Sequence, residues 1–474
     1  MKQSGILLHI SSLPTAFGIG DLGPAAYAFA DYLRANGHSI WQILPLNYPG
    51  YGNSPYNPIS AFAYNEYLIR PEMMLHDGLL FEDELIPVPI TDMVDFVAVR
   101  TAKQAMHSLA AERYLQTCDI DAFIDQHATH IKPYLSFIWL CEKYGNSAWY
   151  TWNKVHRSYS RELYEHCKNE RIVLHAAAMQ AIFVDQITRL KHHLQNMGIT
   201  LFGDMPLYLS YESAEVWANQ HLFDLNDDGE RLSVAGVPPD AYAEDGQLWG
   251  NPTYRWDRMK EAGFSLFFDR IEQALKHLDL LRLDHFIGYV NYWKVPCPNG
   301  VIPQTAIDGE WIQALPGDFF SALKQRFASE HFVAEDLGIL NEQVCRFRDD
   351  MALPGMIILQ FCFEESVPHV QDYPSDRLIY TGTHDNNTTR GWWDALPLDS
   401  PSRSNLLEYC QTRMEGIFPN SENIATIMMD IATQSGCERV IFPMQDILNL
   451  DAKSRMNIPG TALGNWQWRL TGQK

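Results

Sequence analysis

Eight short apolar segments alternate with longer amphipathic patterns along the 474 residues, and acids stand just beyond several of those segments. The alternation predicts an α/β protein with a parallel sheet. Eight strands predict a closed (β/α)8 TIM barrel, a fold that gathers its chemistry at the carboxyl ends of the strands.

Residues 5–10 (GILLHI) read as the first strand. Residues 24–36 read as a helix: Pro24 suits the first turn, Ala26, Phe29, Ala30 and Leu33 share a face, and Gly37 follows the end. Residues 39–44 read as the second strand, stopped by Pro45. Long helical patterns at 91–115 and 120–144 then predict a large, mostly helical insertion spanning about residues 70–195. The third strand is expected at 200–203, followed by a loop-rich insertion over about 206–275. Within it "GVPPDAYAEDGQLWGNP" (236–252) has the composition of a loop, and long loops in compact folds often cover a cleft. Residues 280–283, 331–334, 356–360, 378–380 and 440–442 complete the eight strands. The whole chain, 1–474, is expected to form one barrel domain carrying these insertions.

Apolar residues make up 46% and charged residues 20%, ordinary for a globular chain, but the net charge is −22. A surface this acidic repels phosphate backbones and anionic lipid, so neither nucleic acid nor membrane is an expected partner. The start, "MKQSGILLHISS", has too short an apolar run for a signal peptide. Eight scattered cysteines without C-x-x-C suggest reduced thiols, hence a cytoplasmic location.

"FGIGDLGP" (17–24) spells G-x-G-x-x-G, the pattern of a dinucleotide-binding turn. The context does not fit. Residues 11–17 separate the strand from the first glycine, and the second strand runs into Leu44-Pro45-Leu46-Asn47 with no acid for a ribose. The glycines read instead as a tight loop supporting the first helix. "DLNDDG" (224–229) matches half of a calcium loop, but its twelfth position is Ala235, so an Asx-rich turn is expected. His192 and His193 are adjacent on a helix and point apart, which is poor metal geometry. No metal or cofactor is expected.

Asp284 in "LRLDHFIGY", Glu335 in "VAEDLG" and Asp385 in "TGTHDN" each follow a predicted strand. One such Asp could be a helix cap, but three on separate strands point to a barrel rim. Facing carboxyls suit glycoside chemistry, with one attacking the anomeric carbon and the other moving a proton. Arg282 lies two residues before Asp284, on the same side of a strand, where it would keep the acid ionised. His384 and His285 could bond sugar hydroxyls.

These segments, with "FGDMPLYLSYESAEVW" (202–217), resemble the signature regions of the α-amylase clan. "GYGNSPYNPISAFAYNEYLI" (50–69), the 236–252 stretch and "RMNIPGTALGNWQWR" (455–469) resemble one branch of it, the amylomaltase or 4-α-glucanotransferase family, glycoside hydrolase family 77. The resemblance implies a barrel without a C-terminal β-sandwich, acting on maltodextrins. It implies that Asp284 is the nucleophile, Glu335 the general acid/base and Asp385 the transition-state stabiliser. Arg282, His384 and Asp204 would line the scissile subsite, with His285 beside them. Tyr51, Ser54 and Tyr56 would contact glucan, Gln247, Trp249 and Asn251 would sit on the cover loop, and Asn457 would reach sugar from the last motif. The carboxylates alone leave transfer and hydrolysis open, because both run through one glycosyl-enzyme intermediate.

Overall fold

The structure, a computed structural model, describes residues 2–239, 244–338 and 341–471. Residues 240–243 of the predicted cover loop therefore lie outside the described residues. Twelve strands are present among the described residues: β1 (Gln3–Leu7), β2 (Ile40–Gln42), β3 (Thr200–Met205), β4 (Ser233–Val237), β5 (Gln247–Pro252), β6 (Leu280–Leu283), β7 (Asn291–Pro296), β8 (Glu310–Gln313), β9 (Phe332–Ala334), β10 (Met356–Ile358), β11 (Leu378–Tyr380) and β12 (Arg439–Pro443). Eight of them pair in parallel in the order β10-β11-β12-β1-β2-β3-β6-β9. All eight segments predicted as barrel strands are in this sheet. The strands are nearly continuous apolar runs because both faces are buried, one in the barrel and one under helices.

The seam between β9 and β10 closes without a ladder among the described residues. Ala334 N donates to Pro354 O at 2.8 Å. The buried Asp336 accepts from Met356 N at 2.7 Å, Arg348 Nη1 at 2.5 Å and Arg377 Nη1 at 2.9 Å. A charge-assisted network thus ties the two strands together where no ladder runs.

Between β2 and β3 the chain builds a helical layer that includes Phe96–Thr117, Ile120–Gln126, Ala128–Tyr144 and Arg171–Asn196. The pattern at 120–144 resolves into two helices because the backbone leaves helical geometry at His127 (φ −114°, ψ 16°). The loop-rich stretch after β3 carries β4 and β5. These join β7 and β8 in a separate antiparallel sheet, order β5-β4-β7-β8. A Cβ on Gly236 would lie 2.3 Å from Gln247 O, so the β4–β5 approach needs glycine there. No helix among the described residues is long and apolar enough to cross a membrane.

The 17–24 turn packs inward. Gly18 takes φ +74° against Val88, which bridges to Phe17, and Val99 of the helix Phe96–Thr117. Asp21 is buried and accepts from Gly23 N and Arg70 Nη1, both at 3.1 Å. A Cβ on Gly20 would sit 1.9 Å from Ile10 O and 2.6 Å from Leu13 N. Gly20→Ala should therefore destabilise the protein by about 1–3 kcal/mol, read as a lowered denaturation midpoint; an unchanged midpoint would mean that the turn relaxes freely.

Candidate active site

Asp204 in β3 pairs with Arg282 of β6 in the parallel ladder. Residues two apart on a strand share a side, so Arg282 and Asp284 both face the barrel mouth. The Arg282 side chain is buried and serves three carboxylates. Its Nε donates to Asp204 Oδ2 at 2.8 Å, its Nη2 to Asp284 Oδ1 at 2.8 Å, and its Nη1 lies 4.0 Å from Glu335 Oε2. Glu335 directly follows β9. It accepts from His285 N at 2.7 Å and from Leu337 N at 3.2 Å. His285 adopts φ 50°, and in this left-handed turn its N–H reaches Glu335.

Asp385 lies beyond β11 with its side chain 45% exposed. It takes 2.6 Å and 3.2 Å contacts from Asn457 Nδ2 and His384 Nε2. Arg455 Nη2 donates to the Asp385 carbonyl at 2.6 Å, and Arg455 Nε to the Asn457 carbonyl at 2.7 Å. The 455–457 segment thus grips Asp385 by its backbone and side chain together. Tyr56 donates to Asp204 Oδ2 at 2.7 Å, stacks on His384 at 5.1 Å and lies 5.6 Å from Trp466. Trp249 of β5 meets the His285 ring edge-on at 4.8 Å and is 6.0 Å from Tyr208. This places the antiparallel sheet beside the carboxylates.

The acids differ in state. Burial pushes Asp284 up to about 6, with Arg282 opposing and Asp204 and Asp385 adding repulsion. Burial pushes Glu335 further, up to about 8, again against Arg282 and with Asp284 repelling. Burial also acts on Asp385, but His384, Asn457 and Arg282 outweigh it and hold that carboxyl below the usual range. Burial disfavours the Arg282 charge, yet Asp204, Asp284 and Glu335 raise its pKa well above the ordinary value. Near neutral pH the site therefore presents an ionised Asp284 and a protonated Glu335 around one guanidinium.

Asp204, Arg282, Asp284, His285, Glu335, His384, Asp385, Tyr56 and Asn457 form one network of bonds and ring contacts with Trp249. Gln247 Oε1 accepts from Trp249 Nε1 at 3.3 Å, and Asn251 is buried on the same strand. Ser54 Oγ accepts from Tyr56 N at 3.2 Å, which orders that tyrosine. Tyr51 stands apart, 72% exposed. Sequence reasoning did not single out Arg455, Tyr208 or Trp466. All three lie in the quoted motifs, but which side chains turn toward the acids is set by loop paths.

Among the described residues no group of three or more His, Cys, Asp or Glu is placed to hold a metal. In the 224–229 turn, Asp224 is bonded by Ser233 Oγ at 2.6 Å and Lys294 Nζ at 2.9 Å. Asn226 Oδ1 accepts from Asp228 N and Glu230 N, an Asx turn.

A family profile described as 4-alpha-glucanotransferase matches residues 8–473. The chain is 38% identical to a 4-alpha-glucanotransferase of Solanum tuberosum, over 99% of this chain and 82% of that one. It is 36% identical to a 4-alpha-glucanotransferase of Aquifex aeolicus, over 99% and 96%. Among solved structures it superposes on an amylomaltase of Streptococcus agalactiae in complex with acarbose, with a TM-score of 0.92, 33% identity and coverage of 99% and 95%.

Proposed function

The chain belongs to the 4-alpha-glucanotransferase family, and from that premise we propose that it transfers α-1,4-glucan segments between maltodextrins by a retaining double displacement. The enzyme class is that of the family, a 4-alpha-glucanotransferase. The observation that carries the mechanism is the geometry of two carboxyls at the ends of separate barrel strands on one guanidinium, Asp284 at 2.8 Å and Glu335 at 4.0 Å from Arg282.

Asp284 attacks the anomeric carbon while Glu335 gives its proton to the departing O4. The donor glycosyl is left covalently on Asp284, and the reducing-end piece leaves. Glu335, now a carboxylate, takes the proton from an acceptor 4-hydroxyl, which displaces Asp284 and restores the α configuration. Asp385 stays ionised through both steps. It binds sugar hydroxyls and favours the oxocarbenium-like transition state. Asp204, itself bonded by Tyr56, anchors Arg282, and His384 braces Asp385. Trp249, with β5, walls the cleft. A hydrophobic wall that limits water favours a sugar acceptor over hydrolysis. All eight cysteines are free, which suits a reducing, cytoplasmic setting.

Incubation with maltotriose should give glucose and a ladder of longer dextrins, with the count of reducing ends unchanged. Rising reducing ends would mean hydrolysis, and untouched maltotriose would overturn the reading. Arg455 acts on the reaction only through Asp385. Arg455→Ala should lower kcat about 10²-fold with KM within twofold, and Arg455→Lys should recover part of it. Equal losses in both variants with a lowered melting temperature would indicate a purely structural role.

A further inference from the structure

Away from the catalytic rim, a cleft of about 250 Å³ opens between the helical layer and the barrel helix Ser265–Leu275. None of Asp284, Glu335 or Asp385 lines it. We propose that this cleft binds a single neutral pyranose ring, either free glucose or the terminal unit of an α-glucan. The glucan source rests on the transferase reading above; the ring-binding chemistry rests on the cleft itself.

Four properties select that ligand. The floor is aromatic: Phe62, Tyr64 and Tyr134 are buried there and Phe123 is half-buried beside them, with one face of Phe62 stacked on His130 at 3.7 Å and one face of Tyr64 on Phe183 at 4.5 Å. Flat apolar surface suits the C–H face of a sugar ring. The rim is polar, with Gln126, Thr129 and Lys276 exposed, an arrangement of donors and acceptors suited to ring hydroxyls. The fixed charges cancel, two acids (Asp269, Glu272) against two bases (Lys276, Arg326). The acids are also engaged: Arg326 Nη2 lies 2.6 Å from Glu272, and His130 Nε2 lies 3.2 Å from Asp269. Arg326 is shared by Glu272 and Asp269, and Lys276 bonds the uncharged Gln273 amide, so the lining suits a neutral polar ligand, whereas a purely apolar one would desolvate the rim. The volume is below the roughly 300–1,000 Å³ of sites for drug-sized molecules, so it holds one ring rather than a chain.

The cleft also communicates with the reaction centre. Lys276 Nζ donates to Gln273 Oε1 at 3.1 Å, and Gln273 Nε2 donates to Tyr64 OH at 3.1 Å. Tyr64 and Gln273 line a second void, about 50 Å³, whose wall includes Asp204. The two sites thus share a partition.

Hydrogen–deuterium exchange on the Asp284→Asn protein tests this without turnover, using D-glucose and maltotriose as separate probes. The expected result is slower exchange over residues 120–131 and 265–277, lost in the added double variant Gln126→Ala/Thr129→Ala. On the wild-type background that double variant should keep kcat on maltotriose within twofold. Protection by glucose assigns a free monosaccharide; protection by maltotriose alone assigns a chain end. If neither probe slows exchange there, or if the double variant is protected equally, the proposal is wrong. Failure of the catalytic reading would show separately, as absence of maltotriose protection over residues 282–288.

Discussion

Asn in place of Asp284 should stop glucan transfer, lowering kcat by about 10⁴-fold or more while the protein stays folded. The amide keeps the shape of the carboxylate and can still accept from Arg282 Nη2, so the rim keeps its bonds. It cannot form a stable ester with the anomeric carbon, so the first displacement has no nucleophile. The stability sign is also fixed. Asp284 is raised to about 6, so its ionised form is less favourable folded than unfolded. The protonated form confers stability that is complete below the ordinary carboxylate range and lost as pH rises through about 6. A neutral amide avoids that loss, so the melting temperature at pH 7 should not fall. Turnover within tenfold of wild type, with the variant intact by mass, would remove Asp284 from the role.

Glu335→Gln should lower kcat by about 10²–10⁴-fold and also change the shape of the pH profile. In the wild type, kcat/KM should be bell-shaped. Activity falls as pH drops through about 6, where Asp284 gains a proton, and falls again above about 8, where Glu335 loses its own. The limbs belong to the interacting pair rather than to isolated groups. Glu335→Gln has no proton to lose, so its alkaline limb should disappear. A maltosyl fluoride donor, whose leaving group needs no proton, should restore the first displacement in this variant. A surviving alkaline limb near 8 would assign that titration elsewhere.

The barrel was legible because its eight strands are buried on both faces and read as short apolar runs between helices. The rim acids were legible because each stands just beyond a short apolar strand, and Arg282 because it lies two residues before Asp284. The antiparallel sheet was not, since β4 and β5 look like loop until they meet β7 and β8, and that pairing depends on the path of the chain around β6. The support of Asp385 was hidden for a similar reason. Asn457 and Arg455 lie about 70 residues further along the chain, and nothing in local periodicity reports such a contact. The 17–24 glycines show the converse: a familiar local pattern used for packing, with Gly20 against Ile10 and Asp21 turned onto Arg70.

The grip of 455–457 on Asp385 ties the barrel mouth to the first loop of the chain. Every barrel strand lies before residue 444, yet Asp385 draws its Asn457 and Arg455 partners from the stretch beyond. The stretch that follows is tied to the earliest residues, with Leu470 N donating to Ser12 O and Ser12 Oγ to Trp468 O. Residues 455–470 act as a latch joining the first loop to Asp385, so a disturbance near Ser12 has a bonded route to the barrel mouth.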